Sequence, residues 1–148
     1  MAFRFPLQAV LHLRQSIEHQ QELRLSAANQ LVARINLLIE QVDRCILESQ
    51  QQSLRELESG TSAAEIRFAL EMESHLLARR RYLDQELTRL TRFRDQQQQL
   101  FHQARRERET FAVLREHELR EYQRNQSRRE QRLLDELFLS RQSFRKRG

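Results

Sequence analysis

Glycine, proline and cysteine are nearly absent from this chain, and each scarcity removes a class of function. There are two glycines in 148 residues, Gly60 and Gly148, so no glycine-rich loop can cradle a phosphate or a dinucleotide. The single proline, Pro6, leaves almost the whole chain free of helix breakers. The single cysteine, Cys45, rules out an intrachain disulfide. There is no tryptophan, and the longest apolar runs are a few residues, as at Leu37-Leu38-Ile39, far too short to span a bilayer. Arg4 interrupts the start and no apolar h-region follows, so no export signal is visible and the cytoplasm is the simplest compartment.

Leu, Arg, Glu, Gln and Ala dominate what remains, the mixture of a long helix or coiled coil. These side chains lose little rotamer freedom in a helix, so intrinsic propensity favours helix almost throughout. Hydrophobic residues make up 39% and charged residues 32%, and the apolar ones recur periodically, which argues against disorder. The net charge of +5 is uneven: residues 1–60 hold six arginines against seven acids, while residues 61–148 hold twenty basic groups against fourteen acids. Such blocks serve first as solvated helix faces, then as surfaces for acidic proteins.

The pattern predicts an all-α fold: a long two-helix antiparallel coiled-coil hairpin with an overhanging C-terminal helix. Phe3-Arg4-Phe5-Pro6 reads as an extended lead-in, with Pro6 at the first helical turn. A first helix is expected over about 6–58, a turn over about 59–62 and a second helix over about 63–141, all within one domain spanning 1–148. Gly60 suits the left-handed position that ends a helix, and Ser62 with Glu65 has capping-box spacing. Steps of four and three give a first seam of Phe3, Leu7, Val10, Arg14, Ile17, Gln21, Arg24, Ala28, Leu31, Ile35, Leu38, Val42 and Cys45. The second seam runs through Ile66, Leu76, Leu83, Leu90, Phe93, Leu100, Ala104, Phe111 and Leu114, with Gln97 and Glu107 as polar exceptions. On this seam Cys45 reads as a small buried hydrophobe.

Folding back at Gly60 places Leu7 near 111–114, where the second seam stops. The helices would be on the order of 80 Å and 120 Å long, leaving twenty to thirty residues, roughly, without a partner helix. That overhang ends in an apolar stripe of Leu133, Leu134, Leu137 and Phe138. The stripe suits an external protein groove, with fold-back or dimerisation as the alternative.

No catalytic chemistry is legible. The histidines 12, 19, 75, 102 and 117 do not cluster as metal ligands, and carboxylates on solvated helices lack the burial that tunes an acid or base. No enzyme, cofactor or small-molecule substrate is expected. The basic residues near the C-terminus could meet phosphates, but Glu130, Asp135 and Glu136 interrupt them and no aromatic platform accompanies them, so nucleic acid is not expected either.

The opening Phe3-Arg4-Phe5-Pro6-Leu7-Gln8-Ala9-Val10-Leu11 resembles that of the FliJ family of the flagellar type III export apparatus. The Gly60-Thr61-Ser62 turn, the closing Leu134-Asp135-Glu136-Leu137 and the basic end extend the resemblance over the whole length. It implies a coiled coil similar to the central stalk subunit of rotary ATPases. It further implies a bridge between the hexameric export ATPase FliI and the cytoplasmic domain of the export gate protein FlhA, coupling ATP hydrolysis to flagellar protein export. Export chaperones are implied as further partners. The implied location is the cytoplasm, peripheral to the inner membrane at the flagellar base, with a role in motility and chemotaxis. The resemblance assigns the ATPase contact to Phe3, Phe5, Leu133, Leu134, Leu137 and Phe138. It assigns the gate contact to Leu38, Val42, Met72, Leu76, Arg79 and Leu83; Met72 and Leu76 also fit a plain core reading. The alternative is a generic coiled-coil scaffold, including the stalk protein of a virulence-type secretion system.

Overall fold

A computed structural model describes residues 2–148. Two helices, α1 (Gln8–Ser59) and α2 (Ala63–Arg147), pack against each other as a helical hairpin, with no strand among the described residues. Pro6 lies in a turn just ahead of α1, where the Gln8 N–H donates to the Phe5 carbonyl at 3.1 Å, so the helix starts slightly later than its sequence suggests. α2 continues to Arg147 rather than stopping near 141, with Arg145, Lys146 and Arg147 favourably placed at the negative end of its dipole.

The turn follows from its residues. Gly60 has φ of 84°, the left-handed conformation a side chain would oppose. The Ser62 N–H donates to Glu65 Oε2 and the Glu65 N–H to Ser62 Oγ, both at 3.3 Å. This reciprocal capping box satisfies donors that the first turn of α2 leaves unpaired.

The chain divides into two compact units. The first, Gln20–His102, contains the turn and the more apolar seam. Ile39, Val42 and Leu83 form its buried cluster, with Ile35, Leu38, Ile46 and Leu87 packed around them. The seam of α1 in this unit follows Gln21, Leu25, Ala28, Val32, Ile35, Ile39, Val42 and Ile46. Half of the expected positions are therefore right, and the alternate ones are displaced by one residue. Arg24, Leu31 and Cys45 are exposed, while Leu25, Val32 and Ile46 hold the interface. Cys45 is consequently no core residue. In α2 the same displacement replaces Phe93 and Leu100 by Arg94 and Phe101, and Ile66 is also exposed.

The second unit comprises the residues up to His19 together with Gln103–Gly148. Phe5, Leu11 and Ala104 are its buried apolar residues. Arg108 donates to Glu18 at 2.6 Å and 3.3 Å, Arg14 pairs with Glu107, and Arg115 Nε donates to Gln8 Oε1 at 3.1 Å. Glu107 keeps its expected place at the interface with Arg108 beside it, while Arg115 takes the place expected for the exposed Leu114. An arginine tolerates such a site because its stem covers apolar surface while its head reaches an acceptor.

Candidate protein-docking surfaces

In the second unit, helix cover ends before α2 does. Phe3 stacks its ring 5.6 Å from that of Tyr122, at an interplanar angle of 50°. Partial burial on α2 continues to Gln126, about three turns beyond where the apolar pattern alone places its end. The lead-in contributes to the extension: outside a helix a segment can advance more than the roughly 1.5 Å per residue of a helix, and the stretch from Gln8 back to Phe3 reaches from Arg115 to Tyr122, about two turns. From Ser127 onward every residue is exposed.

Leu133, Leu134, Leu137 and Phe138 all stand in solvent, each about 60% exposed or more. Leu139 and Phe144 are exposed as well. Hydrogen bonds along this stretch are local: Ser140 Oγ donates to the Leu137 carbonyl at 3.0 Å and Ser143 Oγ to the Ser140 carbonyl at 2.8 Å. Phe5, expected on the same contact surface, is instead buried at 7% exposure, so its role is to close the core of its own unit. Phe3 is half-buried against Tyr122.

The residues expected to face an export gate all lie in the first unit, and the structure divides them. Met72 and Arg79 are exposed, Leu38 and Leu76 are half-buried, and Val42 and Leu83 are buried in the core. A partner cannot touch Val42 or Leu83 without separating the helices, which removes both from a docking surface. Arg80, next to Arg79, is taken up within the protein: its Nε donates to Asp43 at 2.7 Å and its Nη1 pairs with Asp84. Hydrogen bonds to Asp43 first, then to Asp84, raise its pKa further above the usual arginine value.

Sequence reasoning missed a feature beside the turn. Where Leu or Ile would fill the seam, the chain has Ser49, Ser53 and Ala69. Small side chains leave a groove of about 550 Å³ lined by Ser53, Glu56, Glu65, Phe68, Ala69 and Met72, among others. Leu54, Phe68 and Leu70 are exposed nearby. The signal was the run of small residues at seam spacing. Among the described residues no helix is long and apolar enough to cross a membrane.

The family model described as flagellar FliJ protein matches residues 3–148. Among solved structures, that of CT670 from Chlamydia trachomatis, described as a YscO homolog, superposes with a TM-score of 0.61, at 16% identity over 99% of both chains. At that identity the likeness establishes the shared fold. No curated protein matches.

Proposed function

The chain belongs to the FliJ family of flagellar proteins, and we propose that it couples the export ATPase to the export gate. In this reading α2 carries its exposed stripe into the centre of the FliI ring, while the Met72–Arg79 face meets the cytoplasmic domain of FlhA. Export chaperones are further partners, and the site of action is the cytoplasmic face of the membrane at the flagellar base. The role is one of binding and coupling, without catalysis by this chain.

The observation that carries the proposal is the stripe of Leu133, Leu134, Leu137 and Phe138, exposed on an uninterrupted helix. An apolar patch of this kind is costly to leave in water and marks a protein contact. Enclosure in an apolar sleeve would contribute roughly 1.5–3 kcal/mol per large side chain fully buried. The helix sets all four groups on one face, so a single groove can take them together. The fold shared with a YscO homolog supports a second reading, a stalk of a virulence-type secretion system.

The test is ATP hydrolysis by the purified ATPase with wild-type chain or with Leu134→Asp/Phe138→Asp. The double variant should keep the wild-type melt, since both side chains are exposed, and should lose stimulation. Equal stimulation by both would remove the stripe from the ring. For the gate face, Met72→Asp should weaken binding to the gate domain with helicity retained, and unchanged binding would take Met72 out of the contact.

A further inference from the structure

Two exposed apolar features on this chain are opposite in charge. The groove beside the turn has Glu56 and Glu65 in its lining and no basic residue. Around it, residues 48–73 hold six glutamates against two arginines. The helical end, residues 127–148, holds seven basic residues against three acidic ones around its stripe of Leu133, Leu134, Leu137 and Phe138. The half-buried Ser53 and Ala69 floor the groove, and the exposed Phe68 and Met72 rim it. Small floor residues let a third helix approach closely, while large rim residues grip an apolar stripe.

We propose that this groove is the docking site for the C-terminal helical end of a second copy of the same chain. Leu134, Leu137 and Phe138 of one copy lie between Phe68 and Met72 of the other, with Arg141 and Arg145 alongside Glu56 and Glu65. Both features are present on every chain at equal concentration, so neither waits for a foreign partner to be masked. The contact joins two different surfaces, which makes it heterologous and able to extend from copy to copy. Opposite charge speeds encounter and fixes orientation, while the modest groove keeps the contact weak and reversible. Self-docking occupies the two surfaces assigned above to the ATPase and the gate. It therefore excludes both engagements and shields the stripe until a stronger partner displaces the neighbouring copy. That exclusion rests on the function proposed above, whereas the self-contact needs only the exposed stripe, the groove and their opposite charge.

Sedimentation equilibrium of the full chain tests it. The average mass of the wild type should rise continuously with concentration at low salt, and less at high salt, because the charge contribution is screened. Phe68→Glu/Met72→Glu in the groove and Leu134→Glu/Phe138→Glu in the stripe should each weaken association about tenfold or more. All four side chains are exposed, so circular dichroism should report an unchanged helical melt. The decisive sample is an equimolar mixture of the two double variants. One keeps a sound stripe and the other a sound groove, so the mixture should form dimers and nothing larger. A wild type that stays a single chain at every concentration would overturn the proposal, whether the groove is left to another protein or the stripe folds onto its own chain. So would a stripe variant that associates like wild type, or a mixture that fails to associate.

Discussion

Around Ile39, Val42 and Leu83 the two helices meet through aliphatic side chains, whereas between residues 14–18 and 107–108 they meet through arginines and carboxylates. The apolar stretch gains from removing hydrocarbon from water, a contribution that depends little on exact geometry. The charged stretch depends on geometry almost entirely. Arg14 pairs with Glu107 and lies 6.0 Å from the centre of the Phe111 ring, yet its Nε is buried without a hydrogen-bond partner. Half-buried pairs of this kind offset their desolvation narrowly, so they add less stability than register. One stretch holds the helices together; the other decides which residues face each other.

Substitutions should separate the two contributions. The largest effect is expected at the apolar stretch, where Leu83 is 3% exposed. Leu83→Ala should cost about 2–4 kcal/mol, through lost burial and a cavity, read as a fall in the thermal midpoint. A smaller loss is expected at Arg108 and Glu18, whose side chains are 26% and 19% exposed. A double-mutant cycle with Arg108→Ala and Glu18→Ala should give a coupling of about 1 kcal/mol that shrinks with added salt. A coupling as large as the Leu83 effect would mean that the charged stretch stabilises as much as the apolar one.

Gly60→Val should cost ~1 kcal/mol or more, since φ of 84° is strained for a β-branched residue. Nothing lies within 4 Å of an added Cβ, so crowding at that atom adds nothing to the backbone strain, and a melt equal to wild type would show that the turn relaxes freely. The smallest effect concerns pH. A hydrogen bond from Arg89 holds the Glu86 carboxyl below its ordinary pKa, despite some opposing desolvation. Its contribution is therefore present above the ordinary carboxylate pKa and lost as pH falls through the lowered folded value. NMR titration should show Glu86 moving towards the ordinary value in Arg89→Ala.

Much of this organisation is legible in the sequence, because each signal acts locally. Gly60, Ser62 and Glu65 specify the turn within six residues, and the period of the apolar residues specifies two helices. The phase of the seam is harder to read. Starting the count at Phe3 and Leu7 assumes helix before α1 begins, and it carries Arg24, Leu31 and Cys45 onto the interface in place of Leu25, Val32 and Ile46. The more apolar alternative was present one residue away. In α2 the arginines at 80, 94 and 108 obscure the phase, because residue type alone does not show that an arginine stem can lie on a seam. The stripe at Leu133–Phe138 was legible because nothing covers it. The groove at Phe68 was not, because its signal, small residues at seam spacing, includes Ser53 only once the seam is in its observed phase.

Hydrogen exchange of the chain alone and with the hexameric export ATPase tests the coupling proposal most directly. Measured dilute enough to keep copies apart, amides of residues 127–147 in the free chain should exchange quickly, since no second helix steadies that end of α2. Amides around Ile39 and Leu83 should exchange slowly in both samples. Addition of the ATPase should slow exchange across 127–147 and leave the Ile39–Leu83 stretch unchanged. Exchange across 127–147 that stays fast with the ATPase bound would contradict the account, because the exposed stripe would then not be the surface that enters the ring.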